Sequence, residues 1–167
     1  ARNAASVFAN QEAVVLARRG IELLASLPDT PEGARKELAL QITLGPALFA
    51  TKDWTAPDVE MAYTRAHVLC RELGESPDLF PALWGLFLFR IARGEIQTAL
   101  NQGGQLLGLA QRAEDPALLL QAHHALGPTY TLVGDWASAR THLDQAIAHY
   151  DPREHRTHAF LYGGHDP

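Results

Sequence analysis

Eight histidines, a single cysteine and a glycine pair are the residues of this 167-residue chain that invite a chemical reading. His155 and His158 stand three apart, with Asp151 and Glu154 beside them, a helical spacing that can turn two imidazoles toward one metal ion. Arg153 and Arg156 occupy the space such a cation would need, so the segment reads as a solvated helix start and no metal is expected. His123 and His124 are neighbours in sequence; on a helix they point about 100° apart and cannot readily chelate one ion. One of them is expected to be half-buried and the other exposed. Cys70 would act as a nucleophile only beside a base in an electropositive pocket. Its apolar, helical surroundings predict a small core residue instead. Gly103-Gly104 opens like a phosphate loop, but no Lys-Ser/Thr follows and the pattern around it is helical, which predicts close helix packing or a kink. No catalytic residue, metal ligand or cofactor is expected from these groups.

The elements that carry these residues are read from apolar periodicity and helix punctuation. Ala and Leu dominate and β-branched residues are sparse, a mixture that favours helices. Thr30-Pro31, Ser76-Pro77, Asp115-Pro116 and Asp151-Pro152 each place a cap acceptor before a proline whose missing N–H costs nothing at a first turn. Asp135 marks a further start, and Thr55 with Asp58 resembles a capping box. The spacing predicts helices over 10–27, 31–51, 56–73, 77–93, 95–113, 116–133, 136–149 and 152–162. Pro46 and Pro128 fall well inside two of them, where each removes a backbone donor and is expected to kink its helix.

Charge and composition narrow the function classes. Net charge is 14 − 19 = −5, which leaves no electrostatic footprint for nucleic acid or an anionic membrane. The longest apolar run, Ala82 to Phe89, stops at Arg90, far short of the roughly 18 to 20 residues that cross a bilayer. One cysteine without a mate suits a reducing cytoplasm. Ala1-Arg2-Asn3 enters a helical pattern part-way, so the chain is expected to be a fragment of a larger protein.

Internal similarity carries the most information. Leu44-Gly45-Pro46 with Asp53-Trp54 returns as Leu126-Gly127-Pro128 with Asp135-Trp136, 82 residues on. Gly94-Glu95-Ile96 lies 40 residues before Gly134-Asp135-Trp136. A repeat of about 40 residues follows, in approximate units 1–28 (partial), 31–74, 77–113, 116–150 and 152–167 (partial). Leu126-Gly127, Tyr130, Gly134-Asp135-Trp136, Ala139, Leu143, Ala146 and Pro152 resemble a tetratricopeptide repeat. In that reading Gly127 and Ala139 allow close helix approach, Gly134 allows the turn, and Tyr130 and Trp136 fill the wedge between neighbours. Lys52 stands where the first hairpin would carry its turn glycine, and Thr55 to Val59 lengthen that connection. The fold class expected is all-α, a tetratricopeptide-like right-handed superhelix of antiparallel helix hairpins in one array, residues 1–167.

A wider resemblance runs through Leu38-Ala39-Leu40-Gln41, Ala62 to Ala66, Leu69 to Gly74, Leu107 to Arg112 and Tyr150-Asp151-Pro152. These segments are similar to the helical-repeat region of bacterial signalling ATPases, many of which are fused to class III adenylate or guanylate cyclase domains. The resemblance implies a multidomain cytoplasmic parent whose nucleotide chemistry lies N-terminal to this piece. It transfers no catalytic residue, because neither a Gly-x-x-x-x-Gly-Lys-Ser/Thr loop nor paired metal-binding aspartates occur here. The expected function is a non-catalytic protein-interaction or coupling module, with a small-ligand sensor array as the alternative. Partners are a protein or peptide, or other domains of the parent, without nucleic acid or membrane. Self-association is expected through the apolar face of a truncated C-terminal helix that includes Phe160 and Leu161. The repeat register puts Ile42, Phe49, Trp84, Leu88, Gln121 and His124 on a concave partner-binding face, with Trp84 as its anchor.

Overall fold

The computed structural model describes residues 2–74 and 77–151. Among these every regular element is an α-helix: α1 Arg2–Ala25, α2 Pro31–Thr51, α3 Pro57–Leu73, α4 Leu79–Ala92, α5 Ile96–Ala113, α6 Pro116–Leu132 and α7 Trp136–His149. Seven of the eight helices read from sequence are therefore present, and the eighth, 152–162, lies outside the described residues together with His155 and His158. Two starts differ from expectation. Helix α1 begins near the N-terminus rather than at residue 10. Helix α4 begins two residues after Pro77, where the carbonyl of Asp78 accepts the first helical bond from Ala82 N at 3.0 Å.

Among the described residues, caps form at Thr30 and Asp115, where a short acceptor precedes proline. The Thr30 hydroxyl accepts from Gly33 N, and the Asp115 carboxylate accepts from Ala117 N and Leu118 N. Asp135 accepts from Ser138 N in the same way. The capping box of Thr55 and Asp58 does not form. Ala56 takes the cap position without a side-chain bond, Thr55 turns its backbone N–H and hydroxyl to Asp53, and Asp58 receives Arg18 and Lys52. This Asp53 turn does the work that a turn glycine does at Gly94 and Gly134, whose φ of 72° and 79° lie in the left-handed region. Pro46 and Pro128 both lie inside their helices.

The chain divides into two compact units, residues 1–89 and 90–167. In the first, Leu38 packs with Ala66, Leu69 and Cys70, while Leu44 and Leu48 pack with Val59, Ala62 and Tyr63. Position rises along α2 as it falls along α3, so these helices run antiparallel. The same crossing joins α3 to α4, with Ala82 at the Cys70 end and Leu86 and Phe89 at the Val59 end. Tyr63 is the hinge of this packing. A methyl group added at Gly45 or at Gly85 would overlap the Tyr63 ring, so two helices can close on one phenol only where they carry no side chain. In the second unit α6 packs against both α5 and α7, and an added Cβ would meet Leu126 at 2.6 Å from Gly103 and Leu143 at 2.7 Å from Gly127. Gly103 therefore serves close packing, whereas Gly104 beside it faces open space.

The same burial recurs every 40 residues in α3, α5 and α7. Val59, Ala99 and Ala139 are buried, as are Ala66, Leu106 and Ala146. Cys70 and Ala110 continue the line at 1% and 0% exposure, which settles the cysteine as a core residue. Gly85→Ala should cost about 1 to 3 kcal/mol, since the added methyl overpacks Tyr63. Gly104→Ala should instead stabilise by roughly 0.5 to 1 kcal/mol through helix propensity. Urea denaturation compares them; similar losses from both substitutions would refute this reading of the contact.

Candidate functional site

The six residues assigned to a partner face take different roles. On α2, Ile42 is half-buried against the cluster of Leu38, Ala66, Leu69, Cys70 and Ala82. Phe49 lies 5.1 Å from the Trp54 ring and 5.6 Å from Tyr63, so it too packs inward. Trp84 is only 6% exposed and sits 5.6 Å from Phe87. Its assignment as an exposed anchor is corrected: the indole is a core group. Helix α4 is apolar on nearly every side from Ala82 to Phe89, so periodicity there could not separate the inward face from the outward one. Leu88 is half-buried, Gln121 is 1% exposed and belongs to the interior, and His124 is half-buried. Four of the six lie in the first unit and two in the second.

Exposed apolar surface falls elsewhere. Leu132, Val133 and Trp136 gather at the α6–α7 turn with exposures of 61%, 48% and 69%. Trp136 was expected to fill a wedge between helices; it stands in solvent because it is the first residue of α7, beyond the reach of the hairpin contact at Leu143.

The polar features of the first unit form two connected groups. Arg65 grips Glu37 with two parallel bonds of 2.8 and 2.7 Å, and this pair holds the Glu37 carboxyl below its ordinary range. Gln41 donates to the same carboxylate, which leaves its buried Oε1 without a partner. Asp58 is lowered by hydrogen bonds from Lys52 and then Arg18. Between these groups the surfaces of α1, α2 and α3 enclose a groove of about 460 Å³ that includes Ile21, Leu44, Leu48, Ala62 and Met61. Burial pushes the Tyr63 phenol well above its usual range, so it stays neutral.

The second unit holds a group that sequence reading passed over. His123 on α6 and His142 on α7 bring their Nδ1 atoms to 2.9 Å. His149 stacks over His123 at 6.1 Å between centroids, and Tyr130 over His142 at 5.4 Å. The signal was available: His123 and Tyr130 are seven apart on one helix, His142 and His149 seven apart on the next, so each pair shares a face. His123 and His124 are both half-buried, because α6 is covered on two sides within its unit. Two Nδ1 atoms at this distance share one proton, so at least one ring must be neutral. Among the described residues no group of three or more His, Cys, Asp or Glu is placed to hold a metal ion, and no helix is long and apolar enough to cross a membrane. The chain matches no known family profile, and no curated protein is similar to it.

Burial lowers both His123 and His142 from 6.5, with His142 and His149 adding to the effect on His123. A base whose folded pKa is depressed binds fewer protons folded than unfolded, so stability is full above the unfolded value and falls as pH drops through it. The melting temperature should therefore fall between pH 7.5 and 5, and His123→Gln with His142→Gln should flatten that fall. An unchanged pH profile in the double variant would remove the histidine pair from the explanation.

Proposed function

We propose that the chain is a tetratricopeptide-like array that acts as a non-catalytic protein-interaction or coupling module, within a cytoplasmic bacterial signalling ATPase of the kind often fused to a nucleotide cyclase. The observation that carries the repeat reading is the recurring burial in α3, α5 and α7, with glycine contacts at Gly45 and Gly127 on the facing helices. Repeats of this kind present side chains of stacked hairpins to a protein or peptide partner. The exposed Leu132, Val133 and Trp136 supply the anchor that buried Trp84 does not. A second reading, a small-ligand sensor, draws on the 460 Å³ groove of the first unit and its ion-paired rim.

Titration of the chain with a peptide library and with a metabolite library, read by thermal shift and anisotropy, separates the two readings. Trp136→Ala should weaken peptide binding by about tenfold or more, in line with losses at interface aromatics, while leaving the melting temperature unchanged. Trp84→Ala should instead cost about 3 to 5 kcal/mol of stability, as for other buried aromatics. Stabilisation by a small molecule that is lost in Arg65→Ala, with no peptide bound, would overturn the module in favour of the sensor.

A further inference from the structure

Helix α1 is apolar on two sides. Val14, Ala17 and Ile21 turn inward onto the cluster of Leu44 and Leu48. On the other side Phe8, Val15, Leu16 and Leu23 stand in solvent, with exposures of 72%, 65%, 63% and 53%. Glu12 and Arg19 lie among these four and are exposed as well. At 3.6 residues per turn the six fall within an arc of about 100°, centred opposite the mean direction of Val14, Ala17 and Ile21. Apolar surface arranged in this way is stabilised by a second surface laid along it.

The order of residues along the arc says which surface fits. About a midpoint between Val15 and Leu16 the arc is complementary to its own reverse: Val15 pairs with Leu16, Glu12 with Arg19 and Phe8 with Leu23, both members of each pair standing equally far from that midpoint. Two copies of α1 laid antiparallel about the midpoint therefore join apolar residues at the centre and at both ends, and set each Glu12 against the other copy's Arg19. Arg19 also touches Glu22 at 3.2 Å, with both side chains about two-thirds exposed, so that pair is weak and the guanidinium keeps donors for a second carboxylate. The same two charges fix the register. Sliding one helix by a turn would press Glu12 and Arg19 onto apolar groups without a partner, and a parallel pair would set Glu12 beside Glu12 and Arg19 beside Arg19.

We propose that α1 is a dimer interface of this chain, in which two copies pair antiparallel through Phe8, Glu12, Val15, Leu16, Arg19 and Leu23 about a twofold axis between positions 15 and 16. The contact is isologous, so it closes at two copies. From position 8 to position 23 the seam runs about 22 Å. It lies at the small end of specific interfaces, and the dimer is reversible.

Sedimentation velocity of the full chain over a range of concentrations tests the proposal. The unaltered protein should pass from monomer to dimer as concentration rises. Glu12→Arg and Arg19→Glu should each weaken the dimer at least about tenfold, because each change acts twice across the twofold axis and sets like charges together. Mixed in equal amounts, these two variants should dimerise with nearly the original strength, since one copy then brings two cations to the seam and the other two carboxylates. Leu16→Glu should weaken association about a hundredfold or more, with a carboxylate at the centre of the contact. Helical circular dichroism should be unchanged in every variant, because these side chains face away from the core of their own chain. A protein that stays monomeric at every concentration overturns the proposal, as does a dimer that Leu16→Glu leaves intact. A mixture of Glu12→Arg and Arg19→Glu that pairs no better than either variant alone overturns the antiparallel register and the proposal with it.

Discussion

Tyr63 can lie between α2 and α4 only because positions 45 and 85 carry no side chain. The phenol is 5% exposed and fills the space that both helices leave. On either side of it the first unit sorts its apolar residues into two clusters, one around Leu48, Val59 and Phe89 and one around Leu38, Leu69 and Ala82. Close approach of three helices at one ring brings the polar residues of α2 and α3 into reach of one another. Arg65 thereby finds Glu37, and Gln41 is drawn beneath them. The contact is steric first, and the electrostatic pairs are its consequence.

The second unit meets the same constraint with the sizes exchanged. Where α3 offers a large ring to Gly85 of α4, α5 offers Gly103 to the large side chain of Leu126 on α6. Position 103 lies 40 residues after position 63, and Leu126 lies 40 after Leu86, so a phenol at one position stands against a hydrogen at the other while the leucine is kept.

Chemistry varies on this conserved spacing. The line that reads Ala62 and Leu69 on α3 reads His142 and His149 on α7, and there it faces His123 rather than leucine. Apolar burial in one hairpin becomes a shared-proton contact in another. The backbone geometry is unchanged in kind, but the second arrangement depends on protonation and the first does not.

Much of the architecture was legible from residue types alone. Proline after a cap acceptor, glycine at turns and apolar residues at helical spacing located seven helices, most within two residues of their ends, because those signals act through local backbone geometry. Cys70 and Gly103 were legible for the same reason. Local rules could not say which side of a uniformly apolar helix faces inward, so Trp84 was placed outside when it lies within. They could not foresee that Asp58 would leave Thr55 for Arg18 and Lys52, since that choice requires α1 to lie beside α3. Nor could they join His123 to His142 across nineteen residues of chain. Helix starts and caps were therefore determined by the sequence itself; which face is core, which carboxylate meets which cation and which imidazoles share a proton were decided only by packing, because those depend on neighbours distant along the chain.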